Sequence, residues 1–204
     1  MRKEEKTELT RHKILLAATE EFGEKGYFHA SMGQICQKGI SKGLLYHNFE
    51  SKDVLYLACV AQCYTQLTEY IDREQTGTDF RRYMELRRTF FQQDILRARL
   101  FFETLFQPPQ HLKVELEVIR KGFELKNRKM YRELLESIPL RPGVTAQDAE
   151  NYFAFVQTMF NGYFSAAISR ELEFEDLIAA HENSMEKLLD FMLYGIAERG
   201  LQKC

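Results

Sequence analysis

The stretch SMGQICQKGISKGLLYHNFESK, residues 31–52, decides the fold of the amino-terminal part of the chain. Ser31 and Gln34 have the Ser-x-x-Gln spacing of a reciprocal capping box, in which each side chain bonds the backbone N–H of the other residue. This spacing predicts a short helix over 32–38. Gly39 then provides the left-handed residue with which many helices end.

Ser41 is the expected cap of a second short helix, which the pattern places over 42–48. Two short helices joined by a brief turn with glycine are typical of the helix-turn-helix, whose second helix enters the DNA major groove. We call residues 42–48 the reading helix. Its predicted outer face carries Lys42, Leu44, Tyr46, His47 and Asn48. The stretch therefore predicts binding to double-stranded DNA.

The composition is that of an ordinary globular chain. Its 204 residues are 45% hydrophobic and 28% charged, which fits one large or two small domains. The sequence contains no 18-residue apolar run and no apolar segment of a signal peptide near its start. We therefore expect a cytoplasmic protein without a membrane partner.

Net charge permits DNA binding without indicating it. The whole chain has a formal charge of −2, and residues 1–55 carry nine Lys/Arg against eight Asp/Glu. Lys38, Lys42 and Lys52 nevertheless surround the reading helix. Local placement matters more than the sum, because phosphate contacts act over about one Debye length.

The four cysteines are too few for a disulfide framework in a reducing compartment. Cys59 and Cys63 are four residues apart and would share one helix face, either as small buried hydrophobic residues or as a redox or metal pair. Cys36 and Cys204 stand alone. No histidine lies close enough in sequence to complete a metal set, so we predict no metal site.

Apolar periodicity predicts an all-α chain with no convincing strand. Besides the two short helices, the predicted helices cover 10–24, 79–92, 94–106, 110–137, 145–170 and 175–198, the last ended by Gly200, and a long helix begins after Ser51 with Asp53 in its first turn. We place a domain boundary inside that long helix, between a small N-terminal domain, 1–55, and a larger C-terminal domain, 56–204.

A longer set of residues resembles the DNA-binding domain of TetR-family repressors. The matching strings are Ile14-Leu15-x-Ala17-Ala18, Phe22-x-x-x-Gly26-Tyr27, Ser31-Met32-x-x-Ile35 and Ser41-Lys42-Gly43-x-x-Tyr46-x-x-Phe49-x-Ser51-Lys52. The resemblance implies an N-terminal three-helix DNA-binding domain followed by a C-terminal helical domain for ligand binding and dimerisation. Residues past about 60 match nothing diagnostic.

The chain departs from that family at the turn before the reading helix. Lys38-Gly39-Ile40 stands where Ala-Gly-Val is usual, and the spacing from Ile35 to Tyr46 is one residue shorter. The shorter spacing is expected to tighten the turn or rotate the reading helix. Leu44 also replaces the usual threonine, which exchanges a polar contact for an apolar one that would suit a thymine methyl.

The resemblance implies DNA contacts at individual positions. Tyr46 and Lys52 would bind backbone phosphates, and Asn48 would pair with adenine or a phosphate. Residues expected at phosphates or base edges are Lys42, His47, Ser31 and Ser41. Alternatively, the two serines are only helix caps, and Tyr46 packs the small core as Phe49 is expected to do.

The first residues of the chain allow two interpretations. The basic side chains Arg2, Lys3, Lys6, Arg11 and Lys13 would form an arm toward flanking phosphates or the minor groove, or a solvated and partly disordered tail.

Two strongly apolar helices near the carboxyl end predict a homodimer. The first carries Tyr152, Phe155, Val156, Met159, Phe160, Tyr163, Phe164 and Ala167 at helical spacing, with Phe153 in a second direction. The second carries Ile178, Met185, Leu188, Leu189, Met192, Leu193 and Ile196. The family resemblance implies that a pair of these helices from each subunit makes a four-helix seam. Alternatively, both helices only close the core of one subunit.

Many aromatic residues occur between 90 and 164, and core packing explains most of them. Such a helical domain can also leave a cavity for a small apolar or aromatic effector. The predicted ligand-binding residues are Tyr64, Arg97, Phe101, Phe102, Arg120, Phe123, Asn127, Phe153, Gln157, Phe160 and Asn161.

These features predict a ligand-responsive dimeric repressor that binds a palindromic operator. The alternative is a helical ligand-binding or adaptor protein whose shortened helix-turn-helix does not read DNA. An enzyme is the least favoured class, since neither a nucleophile–base arrangement nor a phosphate-binding loop is present in the sequence, so we predict no catalytic residue and no cofactor.

Overall fold

The computed structural model describes residues 3–74, 77, 79–167 and 173–196, and every regular element in them is helical. The α-helices are α1 (Lys3–His29), α2 (Met32–Gln37), α3 (Lys42–Asn48), α4 (Lys52–Arg73), α5 (Phe80–Gln93), α6 (Ile95–Phe106), α7 (Lys113–Glu136), α8 (Ala146–Ala167) and α9 (Phe174–Ile196). A 3₁₀ turn, Gln110–Leu112, precedes α7. The predicted all-α class is confirmed.

The first helix is longer than predicted. It begins by Lys3 rather than near Thr10, because the preceding Glu and Lys residues favour helix and no breaker lies among them. Gly26 interrupts it with φ 70° and ψ 169°, after which a last turn leads to His29. The predicted end at residue 24 therefore lies two residues before this break in the helix.

The short helices are confirmed almost to the residue. Ser31 and Ser41 are N-caps, and their hydroxyl oxygens accept from the Gln34 and Leu44 N–H groups at 3.2 and 3.3 Å. Gly39 has φ 82°, the left-handed conformation predicted for it.

The later helices follow the predicted periodicity. α7 starts at Lys113 rather than residue 110, because the 3₁₀ turn occupies the three residues after Pro109. Residues 168–170, 197–198 and Gly200, which the predicted helix ends involve, lie outside the described residues. No helix in the described part of the chain is long and apolar enough to cross a membrane.

The described residues fall into two compact units. The first comprises those of 1–67 and 91–120. Its core contains fully buried side chains from each of the first four helices and from α6, among them Ile14, Ile35, Leu45, Leu55 and Phe102. α1 packs against both α6 and α2 in this unit, so α1 connects the helix-turn-helix to a helix distant in sequence.

The second unit comprises the described residues of 68–90 and 121–204. α8 packs against α9, and the Tyr131 and Phe153 rings stack with centroids 4.0 Å apart in its apolar cluster. The same unit buries a charged pair, in which Arg87 Nη2 lies 3.0 Å from Glu182 Oε1. A buried pair of this kind requires close hydrogen bonding, since both ions lose their water.

The interpretation of Cys59 and Cys63 as small buried residues is confirmed. Both thiols are buried; Cys59 Sγ donates to the Leu15 carbonyl and Cys63 Sγ to that of Arg97. Burial raises the pKa of each thiol to about 12, which disfavours the reactive thiolate. Cys204 lies outside the described residues, within which no group of three His, Cys, Asp or Glu side chains is placed to hold a metal.

Candidate nucleic-acid interface

α3 presents a mixed polar and apolar face to solvent. Leu45 is its buried anchor, whereas Lys42 and His47 are exposed. Leu44 and Tyr46 keep 41% and 45% of their surface exposed to solvent. The alternative in which Tyr46 packs the small core is wrong, and the prediction that Phe49 does so is confirmed.

The shortened turn before α3 closes with regular hydrogen bonds. The Lys38 N–H donates to the Ile35 carbonyl and the Ile40 N–H to the Cys36 carbonyl, both at 3.2 Å. Ile40 is buried and connects the turn to the core. One residue fewer at this place therefore leaves both helices capped and the reading helix exposed.

The predicted reciprocal capping box is only half correct. Ser31 accepts from the Gln34 N–H, but its own N–H donates to Glu21 Oε1 at 3.2 Å instead of to Gln34. Glu21 also forms an ion pair with Lys25, whose Nζ lies 3.0 Å from Glu21 Oε1. An acid of α1 thus replaces the local partner, because the fold brings a stronger acceptor to that N–H.

Two polar side chains near the reading helix have protein partners. Asn48 Nδ2 donates to the Leu44 carbonyl at 2.9 Å. The amide oxygen of Asn48 takes no part in that bond. Lys38 Nζ lies 2.6 Å from Glu20 Oε2, so its charge is partly neutralised by α1. The proposed contact of Asn48 with adenine would need this side chain to turn.

Lys52, at the start of α4, is held close to the end of α1. Its Nζ lies 4.5 Å from the centroid of the Tyr27 ring and donates to the Phe28 carbonyl oxygen at 3.5 Å. Burial lowers the pKa of Lys52, against the effect of the Asp53, Glu103 and Glu21 carboxylates. The ammonium group therefore has a defined position beside the helix-turn-helix.

The basic residues at the start of the chain belong to α1. Lys3, Lys6, Arg11 and Lys13 are helical, so a disordered tail is the wrong interpretation for them. The Arg11 guanidinium lies over the Phe49 ring at 4.4 Å, which fixes it against the small core. Arg2 lies outside the described residues.

The predicted ligand-binding residues are divided between the two units. Tyr64, Arg97, Phe101, Phe102 and Arg120 belong to the first. Tyr64 Oη is 2.9 Å from Thr104 Oγ1, and Arg120 Nη1 donates to the Thr104 carbonyl at 3.1 Å. Arg97 pairs with Asp94, its own helix cap, at 3.1 Å.

The second unit holds Phe123, Asn127, Phe153, Gln157, Phe160 and Asn161. Asn127 is buried and accepts from the Tyr83 hydroxyl at 2.7 Å, and Asn161 Oδ1 lies 3.3 Å from His181 Nε2. The Phe160 ring packs 4.7 Å from the His181 ring, and Phe123 lies near the Arg87 guanidinium. Most of these side chains thus have structural contacts, and their ligand roles remain predictions.

α8 has an exposed apolar face. Its members are Tyr152, Phe155, Met159 and Tyr163, at spacings of three or four residues, whereas Phe153 and Phe164 are buried. In α9 the predicted stripe is directed inward, since Ile178, Leu189 and Met192 are buried, and the exposed rings are Phe191 and Tyr194. The side chains of Ala167 and Ile196 lie outside the described residues.

The amino-terminal sequence matches a known family. Residues 14–59 match the model of the bacterial regulatory proteins, tetR family. The matched segment contains the whole helix-turn-helix and the first turns of α4. Residues 14–59 therefore belong to the DNA-binding domains of the TetR family.

Two curated relatives of this protein are named transcriptional regulators. The HTH-type transcriptional regulator UidR of Escherichia coli (strain K12) is 50% identical over 54 residues, 26% of this chain and 28% of UidR. The HTH-type transcriptional activator FasR of Mycolicibacterium smegmatis is 32% identical over 114 residues, 53% of this chain and 52% of FasR. The chain therefore spans about a quarter of the length of UidR and about half of the length of FasR.

Solved structures extend the likeness in fold to nearly the whole chain. The crystal structure of the transcriptional regulator FadR from Bacillus subtilis, in complex with stearoyl-CoA, covers 91% of this chain and 98% of FadR. Its TM-score is 0.62 at 17% identity. At this identity the similarity shows the fold alone: an N-terminal helix-turn-helix domain followed by a helical C-terminal domain.

Proposed function

We propose that this TetR-family protein is a ligand-responsive transcriptional repressor that binds a palindromic operator as a homodimer. The observation that carries the proposal is the exposed face of α3, which contains Lys42, Leu44, Tyr46 and His47 and no acidic residue. Direct readout needs such side chains at base edges, and phosphate contacts need nearby cations such as Lys52.

The two α8 faces would meet in the homodimer. The exposed residues Tyr152, Phe155, Met159 and Tyr163 form a continuous apolar stripe, which a lone subunit would leave in water. A two-fold axis through this stripe would pair two reading helices, as a palindrome requires. In this proposal residues 1–55 read DNA, and 56–204 bind ligand and dimerise.

The effector in this proposal is a small apolar or aromatic molecule. The many aromatic side chains of the C-terminal part support this class, as does the stearoyl-CoA bound by FadR of Bacillus subtilis. Release of DNA requires only that the effector favour one conformation by about 1–3 kcal/mol. FasR is named an activator, so the sign of regulation needs a reporter measurement with the recovered operator.

The proposal is tested by selecting bound duplexes from a random DNA pool and titrating the recovered sequence at several salt concentrations. We expect a palindrome and weaker binding by Tyr46→Ala. In Lys52→Ala the log–log salt slope should fall by about 1.8, because each of the two subunits loses one phosphate contact. Lys121→Ala removes an exposed lysine of α7 and is the matched control. Weak, sequence-blind binding by the unaltered protein would instead support the adaptor alternative.

A further inference from the structure

Tyr27 is held by polar contacts from three parts of the first unit. Its backbone N–H donates to Glu103 Oε1 of α6 at 2.7 Å. Its hydroxyl donates to Asp53 of α4 and lies 3.0 Å from His111 Nε2 of the 3₁₀ turn. With its main chain and its hydroxyl both engaged, the ring between them has little freedom to move.

The face of that ring carries the Lys52 ammonium, 4.5 Å from the centroid. A tyrosine face is electron-rich and attracts a cation. A lysine side chain otherwise loses rotamer entropy when it is immobilised. Because the contact already selects one orientation in the free protein, less of that entropy remains to be lost when Lys52 meets a phosphate.

Glu103 links this arrangement to α6. Its carboxylate is buried and accepts from the Tyr27 N–H and, at 2.8 Å, from the Tyr56 hydroxyl. Gly26 makes the approach feasible, since a Cβ there would lie only 2.9 Å from Glu103 Oε1 and its φ is positive. The Tyr27 and Tyr56 rings also pack edge to face at 4.9 Å. The position of Tyr27 therefore depends on a helix outside the helix-turn-helix.

We propose that Tyr27 is a positioning residue for the phosphate contact of Lys52, and that Glu103 of α6 holds Tyr27 in place. The inference rests on the proposed DNA-binding function. It adds a role for residues that touch no DNA, and it gives α6 a direct route to one DNA contact. A displacement of α6 would move the ring that orients Lys52.

The position of the Lys52 side chain is tested first without DNA, by NMR of the full chain. Its methylene protons should be shifted upfield by the ring current of the aromatic face. We expect Tyr27→Phe to keep the upfield shift and Tyr27→Leu to lose it. An upfield shift that survives Tyr27→Leu would overturn the proposal whatever the protein does with DNA.

A double-mutant cycle on operator affinity tests the consequence for binding. Tyr27→Leu should weaken binding of the dimer by about five- to thirtyfold, because each of its two subunits loses one exposed cation–π contact, and Tyr27→Phe should not weaken it. In a Lys52→Ala background, Tyr27→Leu should have no further effect. Equal losses in both backgrounds would show that Tyr27 acts only on the fold.

The two proposals fail in distinguishable ways. If Lys52→Ala binds the operator as tightly as the unaltered protein, the phosphate contact of Lys52 is wrong even where the NMR result holds. Glu103 is tested by Glu103→Gln, whose amide oxygen can accept from the Tyr27 N–H and whose NH₂ can donate to the Tyr56 hydroxyl oxygen. Glu103→Gln should keep the upfield shift of the Lys52 methylene protons, and Glu103→Leu should lose it. An unchanged shift in Glu103→Leu would show that α6 does not hold Tyr27 in place.

Discussion

His181 is a buried ring placed among charges in the second unit. Its Nδ1 lies 3.0 Å from Glu182 Oε1, and Glu182 also binds Arg87. Burial lowers the pKa of His181, opposed by Glu182 and reinforced by Arg87. The other ring nitrogen, Nε2, lies 3.3 Å from Asn161 Oδ1.

The buried His181 predicts that stability falls on acidification. The unfolded chain binds a proton near the ordinary pKa of 6.5, whereas the folded protein does so only at lower pH. Stability is therefore complete above pH 6.5 and is lost as the pH falls below it, by at most about 1.4 kcal/mol per pH unit. Urea unfolding from pH 8 to 5.5 measures the slope.

The control for this measurement is a second histidine. His181→Gln should flatten the dependence on pH, while His12→Gln, at an exposed position of α1, should leave it unchanged. An equal slope in unaltered protein and His181→Gln would contradict the assignment. Glu182 must be considered at lower pH: burial alone would raise its pKa, but Arg87 and His181 lower it, so its stabilisation is lost further into acid.

At the scale of elements, the helix-turn-helix depends on local backbone geometry. α2 and α3 have only six and seven residues, which is too short for stability from propensity alone. Serine caps, the left-handed Gly39 and three buried anchors (Ile35, Ile40 and Leu45) compensate. The turn is therefore the place where a single substitution has a backbone effect that can be separated from packing.

Gly39→Ala should destabilise the protein by about 1–2 kcal/mol. A Cβ at Gly39 would meet nothing within 4 Å, so the cost comes from φ 82° alone. Gly43→Ala is the matched control, since its Cβ also meets nothing but its backbone is helical, and it should be neutral or stabilising by up to about 1 kcal/mol. Thermal unfolding of both variants compares them. Equal stability changes would show that the turn is not restricted to glycine.

At the scale of the whole molecule, the exposed face of α8 is the feature that a single subunit does not explain. Phe155 keeps 62% of its surface exposed, and Phe191 of α9 keeps 69%. The buried α9 stripe shows that part of the apolar periodicity serves the core of one subunit. The remaining exposed rings are the surface available for a second copy.

Phe155→Glu should convert the protein from a dimer to a monomer of 24.1 kDa in sedimentation velocity. A carboxylate at the centre of an apolar seam would lose its water without gaining a partner. Val118→Glu, on an exposed apolar position of α7, is the control and should leave the mass unchanged. A monomeric unaltered protein, or a dimeric Phe155→Glu, would contradict the proposed seam.

The sequence by itself determined the all-α class, the short helices with their serine caps and the left-handed Gly39. It also determined the buried Phe49 and the bounds of the reading helix, whereas the exposure of Tyr46 on that helix was decided by the tertiary structure. These features depend on residues within four positions of one another, where helix periodicity and side-chain chemistry act without the rest of the chain. Much of the candidate DNA-binding face was therefore predictable.

Only the tertiary structure decided the partners of charged and buried groups. Ser31 bonds Glu21, ten residues away; Tyr27 bonds Glu103, 76 residues away; and Arg87 bonds Glu182, 95 residues away. The apolar pattern of α9 likewise left open which side is buried. Such pairings arise when separate helices pack, since the cost of burying a charge is met by whichever partner the fold brings near, and no local period encodes that partner.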